Sequence, residues 1–370
     1  MLKNKFHNYS LLFIVLVIVS IGSFLMYSAS SPVAFYTYNK SDSYFLFKHI
    51  IWLIIGLFIL FSFSYINCSF LKKNSKSILI LSWFLMLIPI VINFGENSID
   101  RWLKIGNFTL MTTSDFARIA LIIFTATFID KYYQKINDIK ILSTKLLPYL
   151  LITIALIIYQ PDLSTSIATS LIIFSLLYIA GLNKKIISGL LIGGLSLFLI
   201  VISFFTYQAD RIISWIYGSN SQASNSILSL ANGGFLGTGI GDSQFKYNNF
   251  IPVAQTDFVL AVIGEETGFL GIIIIFLLFG ILFYKGLQIS KFSRDRFFMF
   301  LSIGITINIF LYLLINSSYV IGILPTKGLP IPFISYGGSQ TIFSLLSIGI
   351  LINISKMNLK PNNTRHYYVN

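Results

Sequence analysis

Ten apolar stretches of this sequence run without a single Asp, Glu, Lys or Arg: residues 6–39, 49–71, 77–95, 119–129, 146–161, 163–183, 186–209, 267–284, 297–326 and 328–355. A helix crossing the hydrocarbon core of a bilayer takes about 20 predominantly apolar residues. Most of the runs reach that length. Only 11% of the 370 residues are charged, and 55% are hydrophobic. A soluble domain carries about a quarter charged residues, so water-soluble enzymes and disordered chains are excluded. The chain reads as an all-α polytopic membrane protein of about ten transmembrane helices, both termini on one side.

The short runs bear on that count. The 119–129 helix reaches full length if it starts near Thr113 and Asp115 pairs with Arg118 at i,i+3. The 267–284 helix extends back to about Thr256. The 146–161 run ends at Pro161, which predicts a short or broken helix. The first helix, Tyr9 to Ala29, follows Lys3 and Lys5 and precedes Ser28-Ala29-Ser30. Its apolar core exceeds the ~7–15 residues of a cleaved signal, which favours an uncleaved anchor.

The net charge of +13 invites a nucleic-acid reading. The placement of the cations answers it. With the N-terminus inside, the inner segments are 1–9, 66–77, 130–146, 181–187, 285–297 and 356–370. They hold 18 of the 26 Lys and Arg but only three acids, Asp130, Asp138 and Asp295. This is the positive-inside asymmetry of a membrane protein. The single cysteine, Cys68, forbids an intrachain disulfide, and three scattered histidines offer no metal cluster.

Long polar segments fall on the outer face only: 94–113, 207–256 between the seventh and eighth helices, and 322–338. The remainder is one transmembrane domain, 1–370, with a cytoplasmic tail, 356–370. Function should concentrate in the outer segments. Arg101 and Lys104 are rare outer cations, and Arg suits bidentate phosphate contacts. Trp102 beside them fits a sugar-stacking ring or an aromatic belt residue. Asp162, in Gln160-Pro-Asp-Leu163, follows a helix-ending proline and is placed to cap the next helix, a role compatible with a functional one.

The sharpest signal is Thr256-Asp257 followed by Gly264-Glu265-Glu266. Intramembrane acids are expensive and are functional candidates by default. Positions 257, 261 and 265 share one helical stripe, which would put Asp257 and Glu265 on the same face. The Pro325–Ser339 stretch, with three prolines and three glycines, imposes rigid non-helical backbone at membrane depth; it carries the cation Lys327 and Ser335. The glycines of 233–241 point to close backbone approach to a ligand or another helix, not to a dinucleotide fingerprint.

Taken in order, Tyr27-Ser-Ala-Ser30, Arg101-Trp102, Gln160-Pro-Asp-Leu163, Gly233-Gly-Phe-Leu-Gly237, Thr256-Asp257, Gly264-Glu-Glu266 and Pro325-Thr-Lys-Gly-Leu to Ser335-Tyr-Gly-Gly338 resemble the SEDS family of bacterial peptidoglycan polymerases over nearly the whole chain. Pro325–Gly328 and Ile263–Glu266 are closer to its division-type branch than to its elongation-type branch. There are departures. Thr112-Thr-Ser-Asp replaces the usual Gln-Pro-Ser-Glu, although an acid–base pair is kept in Asp115 and Arg118. Gln255 stands for His, Asn225 for Gln, and Ser164 for Gly.

The resemblance implies a glycosyltransferase that joins lipid II units and releases undecaprenyl pyrophosphate. Asp257 is then the catalytic candidate, taking the proton of the attacking sugar hydroxyl. Cations are expected to keep it ionised. Arg101, Lys104, Arg211 and Lys327 would meet the pyrophosphate, with Trp102, Asp162, Glu265 and Ser335 completing the substrate site. A divalent ion such as Mg²⁺ could join Asp257. The resemblance also implies a class B penicillin-binding protein and other divisome membrane proteins as partners, at the septum of a bacterial cytoplasmic membrane. A lipid II flippase and a non-catalytic scaffold are the competing classes.

Overall fold

The structure is a computed structural model that describes residues 2–92, 101–105, 108–204, 206–218, 221–247, 254–326 and 328–359. Helix α1 (Leu2–Pro32) continues into a π-helical turn, Val33–Thr37. Then come α2 (Tyr44–Phe63), the short α3 (Ser69–Lys73) and α4 (Ser75–Ile92). Strands β1 (Trp102–Ile105) and β2 (Phe108–Thr112) lead into α5 (Thr113–Tyr132). Next are α6 (Ile139–Lys145), α7 (Leu147–Tyr159), α8 (Leu163–Ile179) and α9 (Lys184–Phe204). Helices α10 (Thr206–Ile216), α11 (Ser221–Gly233) and α12 (Gln244–Tyr247) precede the long α13 (Val259–Lys291), α14 (Arg296–Val320) and α15 (Gly338–Leu359).

A two-stranded hairpin is the one addition to the expected helical bundle among the described residues. Its strands are antiparallel, with Trp102 opposite Thr112 and Ile105 opposite Phe108. Aromatic and β-branched residues suit a pleated, half-buried surface, and they are packed into Trp102–Thr112. The 207–256 segment contains three helices where a loop was expected.

Among the described residues, six helices are long and apolar enough to cross a bilayer, and α6 with α7, bent by 43°, makes a seventh if taken as one span. The expected number was ten. Helix α8 has only 17 residues, and α5 carries Asp115, Arg118, Asp130 and Lys131. Helix α5 starts at Thr113, and Arg118 Nη1 meets Asp115 Oδ1 at 2.8 Å, the i,i+3 pair that its length required. It packs against α4, α8 and α14 and is buried on nearly every face, so Asp115 and Arg118 are screened from lipid, while Asp130 and Lys131 sit at its far end. Helix α7 is short, 13 residues, and stops at Tyr159 just ahead of Pro161, as the sequence predicts; the bend between α6 and α7 falls at Leu146.

Helix α13 is two helices joined at Gly268, whose φ of 66° and ψ of −167° no helix contains. The glycine-rich stretch after α11 closes onto that break. Phe269 N donates to Gly234 O (2.9 Å), Thr238 N to Glu265 O (2.9 Å) and Gly239 N to Glu266 O (3.1 Å). A Cβ on Gly233 would stand 2.1 Å from Gly264 O, so only glycine fits there. The close approach read from the glycine spacing is therefore to another helix.

Candidate active site

Four helix ends and the hairpin meet at one end of the bundle. The starts of α5, α8 and α15, the end of α14, and the turns before α13 and α15 enclose a cavity of about 250 Å³. Arg101, Trp102, Asp162 and Asp257 all line it, so four residues picked from three distant motifs come together.

Asp257 lies in the turn before α13, not on the helix. Its backbone is held from behind: Asn316 Nδ2 (2.9 Å) and Tyr319 Oη (2.8 Å) both donate to its carbonyl. The same two side chains donate to Leu329 O, at 2.8 and 3.0 Å, so the α14 end ties the Asp257 turn to the 328–337 turn. Tyr336 N donates to Gln255 O at 2.9 Å and closes the link. Gly328 packs against the carboxylate; a Cβ there would lie 2.9 Å from Asp257 Oδ2. Burial raises the Asp257 carboxyl above its ordinary value, and the nearby Arg101 and Arg211 guanidinium groups offset only part of that. The expectation that cations would dominate is reversed, because a desolvated carboxylate loses more than two partly solvated guanidinium groups return. A raised value makes the group a stronger base.

Asp162 caps α8, as its place after Pro161 predicts. One oxygen caps α8 by accepting from Thr165 N (3.2 Å), and the other accepts from Ser114 Oγ (2.8 Å). Arg101 Nη1 stands 3.6 Å from Oδ1. Asp115, Tyr312 and Gln340 line the floor, and the buried Arg118 lies behind them. Arg118 is 1% exposed; it meets Asp115, donates to Gln340 Oε1 at 3.2 Å, and lies on Tyr312 with a bond to its hydroxyl. Thr112 Oγ1 binds Asp115 and also Ser339 Oγ, at 2.8 Å, which sews β2 to α15. Tyr312 and Gln340 were not singled out from the sequence. Thr112, Ser114, Asp115 and Arg118 were read as the counterpart of a family motif, and Ser339 as the end of the Pro325–Ser339 stretch, without a site role given to any of them.

The other expected site residues are placed differently. Arg211, on α10, donates weakly to Thr326 O (3.4 Å) and reaches Asp257 through its charge, not as a wall of the cavity. Lys104 is exposed on β1 and does not line the cavity. Ser335 is buried in the turn before α15, where its Oγ accepts from Ile331 N at 2.9 Å. Lys327 lies outside the described residues. Glu265 is a correction: it is fully buried away from Asp257, and Ser229 Oγ (3.0 Å), Asn232 Nδ2 (2.9 Å), Gln244 N (3.0 Å) and Ser243 Oγ bind its oxygens. The shared stripe fails because α13 begins only at Val259. Glu265 thus anchors α11 and α12. Glu266 does the same with Lys246 and Ser28, tying α12 to α1.

Among the described residues no three His, Cys, Asp or Glu side chains converge to hold a metal ion. Asp162 and Asp115 accept from protein donors, so protein carboxylates alone do not cage an ion here; an Mg²⁺ at Asp257 would take its further oxygens from the substrate's phosphates and from water.

A membrane-embedded helical bundle with a charged, blind cavity at one end of its helices defines a class of integral membrane protein built for chemistry at the bilayer surface. The chain belongs to the FtsW/RodA/SpoVE family of cell cycle proteins, whose sequence profile matches residues 9–360. It is 33% identical over 358 residues to a probable peptidoglycan glycosyltransferase FtsW of Trichlorobacter lovleyi, covering 93% of this chain and 92% of that one. It is 30% identical over 355 residues to stage V sporulation protein E of Bacillus subtilis, covering 94% and 96%. Among solved structures, a chain of a peptidoglycan synthase complex superposes with a TM-score of 0.75 at 20% identity, covering 95% of this chain and 98% of that one. The rod shape determining protein RodA of Thermus thermophilus follows at 0.70 and 19%, with the same coverage. These two likenesses establish the fold.

Proposed function

We propose that this protein is a peptidoglycan glycosyltransferase that polymerises lipid II at the outer membrane surface, in septal wall synthesis. The single observation that carries the reading is Asp257. It is a buried carboxylate with raised basicity, fixed by Asn316 and Tyr319, on the wall of a cavity that also presents Arg101. In the reaction, an acceptor sugar hydroxyl attacks the donor's anomeric carbon. The bond from that carbon to the pyrophosphate oxygen breaks, and the hydroxyl proton passes to Asp257. Undecaprenyl pyrophosphate leaves with the electron pair. Arg101 and Arg211 supply positive charge where negative charge develops. The lipid tails stay in the bilayer, which accounts for a sugar polymerase built almost wholly of helices.

The cavity's floor argues against a flippase. Arg118, Tyr312 and Gln340 close it as buried side chains, and one to two turns deeper Gly304 is in tight contact with Ile122 and Leu176. A blind cavity serves a reaction; a transport path needs polar lining through both leaflets. The likeness to a chain of a peptidoglycan synthase complex supports a crosslinking partner, which we assign to the class B penicillin-binding proteins, alongside other divisome proteins. The elongation role is the second reading of the same chemistry. Both termini are assigned to the cytoplasm from the Lys/Arg asymmetry. Purified protein incubated with lipid II, with and without such a partner, tests the proposal: glycan strands and free undecaprenyl pyrophosphate are expected. Lipid II that moves between leaflets without being consumed would establish the flippase instead.

A further inference from the structure

The cavity is smaller than its proposed cargo. At about 250 Å³ it lies below the ~300–1,000 Å³ of sites that enclose a drug-sized ligand. It has room for the reacting sugar but not for a strand. The product must therefore run over the surface from the cavity's mouth, and a processive enzyme needs something there to hold it.

One side of the mouth continues into a chain of aromatic rings. Tyr336 lines the cavity. Its ring meets Phe45 edge-on at 5.2 Å, and Phe45 meets Tyr38 in the same way at 5.5 Å. Close by in the chain, Phe35 and Tyr36 form a further edge-on pair at 5.1 Å, at the end of the membrane-crossing helix Ser10–Thr37. The inner part of this group is fixed: Phe45 packs with the buried Val33 and Ala34, and Lys40 N donates to Ala34 O at 3.0 Å to close the turn. The outer part is bare, with Phe35, Tyr36 and Tyr38 exposed at 55%, 67% and 54%. Rigid rings presented from a buried base lose little entropy on binding. Sugar rings carry an apolar C–H face that stacks on an aromatic face, and tyrosine adds a hydroxyl for the sugar's polar edge. The cations that suit pyrophosphate, Arg101 and Arg211, sit on β1's flank and α10, apart from this turn in the chain.

We propose that the ring-bearing turn at residues 33–45 is a glycan-binding subsite that holds the emerging strand, continuous with the catalytic cavity through Tyr336. The inference rests on the polymerase reading above. An aromatic belt at the membrane interface is the competing role for the same rings.

The test uses purified full-length protein with lipid II, and compares wild type, the double variant Tyr36→Ser/Tyr38→Ser and the conservative double variant Tyr36→Phe/Tyr38→Phe. Two readouts are taken: mean glycan length relative to lipid II consumed, and binding of the soluble sugar oligomer chitohexaose. Loss of two stacking rings is expected to cut both by about three- to tenfold in the Ser variant, with the Phe variant near wild type. If wild type makes no glycan, the polymerase reading itself falls. If wild type makes long glycan and the Ser variant retains either its strand length or its oligomer affinity, the subsite is refuted and the rings belong to the membrane interface.

Discussion

Replacing Gly328 with alanine tests whether the position of the Asp257 carboxylate matters. The new Cβ would stand 2.9 Å from Asp257 Oδ2, whereas ordinary contact starts near 3.4 Å. The carboxylate must retreat by about half an ångström, and a misplacement of roughly 1 Å costs on the order of a hundredfold in rate. Polymerisation should therefore fall about tenfold. The assay is the initial rate of glycan formation beside a thermal melt of the same preparation. A Gly328→Ala protein that melts normally and polymerises at the wild-type rate would refute the claim that the carboxylate's geometry is set by this contact.

Three further outcomes follow from the same structure. Lys246→Met leaves the buried Glu266 without its cation and should cost about 3–5 kcal/mol, part of which Lys246→Met/Glu266→Gln should recover; equal melts for all three proteins would contradict a buried ion pair at that place. Because burial raises the Asp257 carboxyl, its folded form holds a proton at higher pH than its unfolded form, so its ionisation costs stability as pH rises through the folded value. Asp257→Asn should then melt higher than wild type at neutral pH, with the gap closing on acidification, while wild-type activity falls with acidification before the ordinary carboxylate range is reached. Lastly, a cysteine at the exposed Lys40, in a Cys68-free background, should react with an impermeant thiol reagent from outside the cell, and one at the exposed Asn137 should not; reversed labelling would overturn the orientation.

Much of this was legible in the sequence because membrane insertion leaves a one-dimensional record. Charge-free runs mark helices, and the excess of Lys and Arg in alternate loops marks their direction. Asp257, Asp162, Arg101 and Trp102 could be picked out because charged residues are costly inside a membrane and stand out beside apolar runs, and because cations are rare in the outer segments. What the sequence hid depends on side-chain direction. Glu265 is two helical turns from Asp257 by spacing, yet the helix starts after Asp257, and Glu265 turns to Ser229, Asn232 and Ser243. Tyr312 and Gln340 were unreadable as site residues because ordinary helix positions become a cavity floor only when α14 and α15 pack against Arg118 on α5. The hairpin escaped notice because nine residues of strand carry little signal beside ten apolar runs.

The most direct test of the account is glycan polymerisation by purified Asp257→Asn. Asparagine keeps the shape of the side chain and leaves the backbone bonds from Asn316 and Tyr319 intact, but it removes the basic oxygen. The account predicts a well-folded protein whose polymerisation of lipid II falls by about 10²–10⁴-fold, the range for loss of a general base. Near-normal polymerisation by that protein would contradict the assignment of Asp257 and turn attention to Asp162, the other carboxylate beside Arg101.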